Sequence, residues 1–124
     1  MSYLIRKTDT FLRNWKKNPD RYPLIIKGAR QVGKTETIRK FAKENYKNLV
    51  EINFITEPAY KTIIDEGFSA DNILKLISRI DPSKHFDAGE TLLFFDEVQD
   101  FPEIATSLKF FKENGKYDVI CSGS

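Results

Sequence analysis

The sequence predicts an α/β domain built on a parallel sheet, and three observations lead there. Short apolar runs alternate along the chain with segments of helical periodicity. One of those runs, "TLLFFDE" at 91–97, is nearly unbroken, as expected of a strand covered on both faces. The stretch "YPLIIKGARQVGKTETIRKF" at 22–41 passes from an apolar run through a glycine-bracketed loop into helix-forming residues, a strand–loop–helix order.

In chain order, residues 3–17 set Leu4, Thr8, Phe11, Leu12 and Trp15 at helical spacing and predict an amphipathic helix docked on the body. "NPDRYP" at 18–23 ends it in a turn. Residues 24–27 make a short buried strand, and a helix over about 34–45 carries Ile38, Phe41 and Ala42 on one side. "NLVEINF" at 48–54 is a second strand, followed by loop and a short helix with Pro58 as a breaker. Asp71 is expected to cap a helix bearing Ile73, Leu74, Ile77 and Ile80, which Asp81-Pro82 stops. After the strand at 91–97, Asp100 and Pro102 open one more helix with Ile104, Leu108 and Phe111 on a stripe, ended by Asn114-Gly115. "YDVICS" is the fourth strand.

A chain of 124 residues with 40% hydrophobic content has enough material for one core. Its single cysteine, Cys121, excludes an internal disulfide, and residues 1–20 are too charged for a secretory leader, so a cytoplasmic location is expected. No apolar run approaches the ~18 residues of a membrane-spanning helix. Residues 1–47 hold 13 Lys and Arg against 4 Asp and Glu, and residues 48–124 hold 7 against 14. That polarity reads as two solvated faces, or as an attraction for phosphates or nucleic acid, although no nucleic-acid motif accompanies it.

Gly28-Ala29-Arg30-Gln31-Val32-Gly33-Lys34-Thr35 fits G-x-x-x-x-G-K-S/T between a predicted strand and a predicted helix, which is the context the motif requires. The glycines let successive N–H groups converge on phosphate oxygens, and the helix that follows turns its positive end to the same anion. With Glu36 these residues form the expected nucleotide-binding run. Lys34 is expected at the β- and γ-phosphates and Thr35 at Mg²⁺. Asp96, closing the apolar strand, is expected to hold the metal through water, with Glu97 as general base toward the attacking water. The plainer alternatives are a strand-end cap for Asp96 and a solvated loop acid for Glu97. Gln99 reads as a polar loop residue or as a contact to water or phosphate, His85 as a surface residue and Cys121 as a buried core thiol. Ser122 or Ser124, after a core strand beside the site, either senses the γ-phosphate or belongs to an ordinary Ser-Gly turn.

"PLIIKGARQVGKT", "TLLFFDEVQ" and "SLKFF" through "YDVICSGS", in that order and spacing, resemble the AAA-type P-loop ATPases of bacteria and archaea. Members of that family continue into a winged-helix region and a C-terminal domain of unknown function similar to a restriction endonuclease. "YLIRKTDTFLRNW" is similar to the family's leading helix, and Gly28, Gly33, Lys34, Thr35, Asp96 and Glu97 match its nucleotide site. The resemblance implies a P-loop NTPase three-layer sandwich of strand order 2-3-4-1, with a fifth strand beyond the first. It also implies ATP and Mg²⁺ as ligands and ATP-driven change in an attached or partner domain; a homo-oligomer is one possible assembly of the chain.

The chain stops at Ser124, directly after the fourth strand, where α/β folds carry a ligand-facing loop. The expectation is therefore a single ATPase core over 1–124, truncated at its C-terminal side, without the fifth strand, the helical lid or an arginine finger. Two functions stay open: an Mg-dependent ATPase, and a nucleotide-binding switch with negligible hydrolysis. Glu97 is the residue that favours the first.

Overall fold

The computed structural model describes residues 3–28 and 33–124. Four helices, α1 (Tyr3–Lys17), α2 (Lys34–Asn45), α3 (Ala70–Ile80) and α4 (Leu108–Asn114), accompany four strands, β1 (Leu24–Lys27), β2 (Asn48–Asn53), β3 (Thr91–Asp96) and β4 (Asp118–Gly123). Among the described residues, three 3₁₀ turns, Pro58–Ile64, Val98–Asp100 and Pro102–Ser107, lie in the connections. The strands form one all-parallel sheet of order β1-β4-β3-β2. This is the expected 2-3-4-1 read from the other edge, with β4 inserted between β1 and β3.

Side-chain alternation explains why β3 is apolar from Leu92 to Phe95. Leu92 and Phe94 face α1 and α2, where with Ile120 they pack against Leu12, Trp15, Ile38 and Phe41. Leu93 and Phe95 point the other way, joining Val119, Cys121, Ile52, Ile73 and Phe111 under α3 and α4. All six residues of β3 are buried, so a period-2 strand between two helical layers needs apolar residues on both faces. β1 lies at the sheet's edge. Leu24 and Ile26 pack toward α2, whereas Ile25 on the other face is 45% exposed.

The predicted N-terminal helix forms, and the turn after it fastens it to the sheet. Trp15 donates from its indole N–H to the Tyr22 carbonyl at 2.7 Å. Arg21 meets Asp118, the first residue of β4, through two bonds of 2.9 Å, and the Tyr46 hydroxyl donates to the same carboxylate at 2.6 Å. Burial, reinforced by that bond, pushes the Tyr46 phenol well above its ordinary value.

Two local readings are corrected. Ser69, not Asp71, caps α3: its hydroxyl accepts from the Asn72 N–H at 3.2 Å, while Asp71 sits in the first turn. A Ser with extended backbone one residue before the helix can reach that N–H, which Asp71, already helical, does not serve. The single helix expected from Asp100 onward is broken into 3₁₀ turns before α4. Phe101, at φ −148° and ψ 64°, leaves the helical region between two of them, and the Ser107 hydroxyl bonds back to the Ile104 carbonyl at 2.6 Å, competing with α-helical pairing. Pro58, expected as a breaker, opens a 3₁₀ turn as its first residue. Gly115, at φ 70°, ends α4 as its position suggested.

Candidate functional site

Because every strand runs the same way, the carboxyl ends of β1, β3 and β4 meet at one edge of the sheet, where α/β domains hold ligands. Gly28 leaves β1 at φ 153° and Gly33 enters α2 at φ 71°, both conformations costly to a residue with a Cβ. Ala29, Arg30, Gln31 and Val32, four of the expected nucleotide-binding residues, lie outside the described residues. Gly33 caps α2 by its carbonyl, which accepts from the N–H and the hydroxyl of Thr37 at 3.0 Å each.

Lys34, the first residue of α2, is only 7% exposed. Its ammonium donates to the Gly28 carbonyl at 2.7 Å and to the Gly123 carbonyl at 2.6 Å, spanning the ends of β1 and β4. Next to it, Thr35 Oγ1 donates to Asp96 Oδ2 at 3.2 Å. Asp96 is 5% exposed, and burial pushes its carboxyl above the usual range, while the Glu97 N–H at 2.9 Å and the Thr35 hydroxyl pull it back. The sequence motif and the strand-end acid, far apart in the chain, are thus in contact.

Glu97 follows the strand at φ 58°, the one non-glycine with positive φ among the described residues. Such a conformation costs energy and is common where side chains are aimed for a task. The Glu36 carboxylate pairs with Arg39 at 2.6 Å and is largely exposed. Ser122 stands opposite Asp96 in the β3–β4 register, and its buried hydroxyl has no hydrogen-bond partner among the described residues. A buried hydroxyl in that condition is uncommon and calls for a ligand or water.

A cleft of about 330 Å³ joins Gly33, Lys34, Thr35, Asp96 and Glu97 to Asn53 and Ile55 at the end of β2. Asn53 shapes its far wall by accepting the N–H groups of Ile55 and Thr56 at 2.9 and 3.0 Å. The sequence pattern missed Asn53, Gly123 and the carbonyl partners of Lys34. Only the polar residue at the end of an apolar strand pointed to Asn53.

His85 is exposed and Cys121 is 1% exposed, as read from the sequence. Among the described residues no group of three or more His, Cys, Asp or Glu could hold a metal by itself. The donors that do converge are a threonine hydroxyl and one carboxylate. These hard oxygens, with a carboxylate whose charge burial disfavours, fit a hard divalent cation that keeps several waters and shares its shell with phosphates.

A parallel sheet with a glycine-bracketed lysine and a strand-end acid at one edge defines a P-loop nucleotide-binding domain. The chain belongs to the AAA domain family, whose model matches residues 20–124, everything after α1 and the first residues of its turn. AAA domains are in general ATPases, and nucleotide binding is the family's common property. No curated protein and no solved structure matches the chain. Among the described residues no helix is long and apolar enough to cross a membrane.

Proposed function

We propose that this domain binds ATP with Mg²⁺ and hydrolyses it, and that the cycle moves an attached or partner domain. The observation that supports this is the convergence of Lys34, Thr35, Asp96 and Glu97 on one cleft at the carboxyl edge of the sheet. Gly28 to Thr35, with Glu36 beside them, would receive the phosphates, and Lys34 would exchange its two carbonyl partners for β- and γ-phosphate oxygens. Thr35 and Asp96 would hold Mg²⁺, which when bound offsets phosphate charge.

Glu97 would take the proton of the attacking water as general base, its carboxylate lining the same cleft. The unpartnered Ser122 hydroxyl, one residue before Gly123, would serve as a sensor of the terminal phosphate. The cell's cytoplasm would supply the nucleotide. Isothermal titration with ATP, ADP and GTP, with and without Mg²⁺, together with a phosphate-release assay, tests the reading. Mg-dependent ATP binding with turnover supports it. Binding without turnover would leave a nucleotide-operated switch, and no binding would end both.

A further inference from the structure

The peptide group joining Gly123 to Ser124 has two polar ends, and each is held by a different part of the candidate site. Its carbonyl accepts the Lys34 ammonium at 2.6 Å and the Gly28 N–H at 3.2 Å. Its N–H, on Ser124, donates to Gln99 Oε1 at 3.3 Å. The other arm of the same amide, Gln99 Nε2, reaches Glu97 Oε2 at 3.4 Å. Every donor in this series points the same way, from the Lys34 cation to the Glu97 carboxylate, with one backbone peptide and one side-chain amide between. Hydrogen bonds aligned head to tail polarise one another, so a change at one end is felt at the other.

The fit of Gln99 against β4 is close. A Cβ added at Gly123 would stand 2.7 Å from Gln99 Oε1 and 3.2 Å from Val98 Cγ2. Gly123 is not among the glycines with positive φ, so it is there for room rather than for backbone freedom. The space it leaves is where the amide sits.

We infer that Gln99 is a positioning residue: it orients the Glu97 carboxylate and makes its placement depend on what Lys34 binds. An anion that draws the ammonium from the Gly123 carbonyl alters the polarisation of the same peptide whose N–H anchors Gln99. The hydrolytic half of this inference rests on the proposed ATPase activity. The coupling of Lys34 to Gln99 does not.

Two measurements on the 124-residue chain separate them. In the NMR spectrum without nucleotide, Lys34→Ala should move the Ser124 backbone amide and the Gln99 side-chain amide, and inorganic pyrophosphate should move the same two signals in the parent. Unmoved signals in a folded variant would overturn the coupling whatever the activity. In steady-state kinetics, Gln99→Ala should lower kcat about tenfold with KM within twofold, a split that a general loss of structure does not produce. Gly123→Ala, which crowds the amide but keeps the peptide, should cost the same. The double variant should then lose no more than either single one, because both remove one contact. Additive losses, or parent kcat in Gln99→Ala, would refute the positioning role. A parent chain without turnover would sink the ATPase reading and the orienting role together, leaving the NMR result to decide the coupling alone.

Discussion

The Thr35 hydroxyl donates to Asp96 Oδ2 at 3.2 Å across 61 positions of sequence. The contact joins the start of α2 to the end of β3, and it puts two hard oxygen donors side by side where the phosphate loop meets the sheet. If these are the metal's ligands, Asp96→Asn should keep the fold, since an amide oxygen can still accept the Glu97 N–H. Its ATP affinity should then be nearly the same with and without Mg²⁺. Titration calorimetry under both conditions checks this, and an undiminished Mg²⁺ effect would remove Asp96 from the metal site.

Among the described residues lining the cleft, Lys34 carries the ammonium. Lys34→Ala should weaken Mg-ATP binding at least tenfold, about 1.4 kcal/mol. Equal affinity in a folded variant, measured in the same calorimeter, would place the phosphates elsewhere.

If Glu97 is the general base, Glu97→Gln preserves its shape and removes the base. ATP should bind as in the parent while phosphate release falls by about 10²-fold or more. A rate matching the parent would show that Glu97 takes no proton.

Asp118 answers for the attachment of α1. It accepts from Arg21 and Tyr46, and its pair with Arg21 is mostly shielded, with side chains 17% and 23% exposed. Asp118→Ala leaves a guanidinium and a phenol without their acceptor, and should cost about 2 kcal/mol in urea unfolding. Tyr46→Phe, which deletes one bond, should cost about 1 kcal/mol. A loss within error for both would mean that packing of Trp15 on Phe41 holds α1 unaided.

Cys121 provides a pH test. Burial pushes its thiol from the ordinary 9.0 up to about 12. A folded value above the unfolded one means that this group's contribution to stability is intact below about pH 9 and is lost as pH rises toward 12. Maleimide labelling of the native protein at pH 8 should therefore be slow and should follow unfolding, since the thiolate is the reactive form. Cys121→Ala should flatten the alkaline fall in stability. Rapid native labelling would contradict the burial of β4.

The sheet was readable because β3 carries four consecutive apolar residues, Leu92 to Phe95, and the glycine motif sits between strand and helix signals. The residues of the cleft were readable for the same reason: the motif's chemistry names Lys34 and Thr35, and strand-end position names Asp96 and Glu97. Gln99 stood out only as a loop residue that could meet water or phosphate, not as a partner of Glu97. Its part depends on a backbone peptide on β4 that approaches within reach only after folding, and a peptide carbonyl leaves no trace in side-chain pattern. Ser69 and Asp71 are both good capping residues two positions apart, and periodicity does not fix a helix start that finely. The broken helix after Asp100 was missed because its apolar stripe survives across 3₁₀ turns and α4, so Ile104, Leu108 and Phe111 reach the same core by a different backbone path.

The pairing of β1 with β4 has a consequence for how the molecule assembles itself. β1 has only four residues, and its ladder partner in this sheet, Leu24 opposite Ile120 through Lys27 opposite Gly123, comes from the far end of the chain. Helices α1 and α2 can form locally and β2 can wait for β3, but the strand that carries the phosphate loop gains its ladder only when β4 arrives. Closing so long a loop delays that step relative to local contacts. The cleft is therefore expected to be completed late in folding, when Gly123 seats against Lys34. Recovery of nucleotide binding during refolding should lag behind recovery of helical signal, which makes the ligand itself a reporter of the last strand's entry.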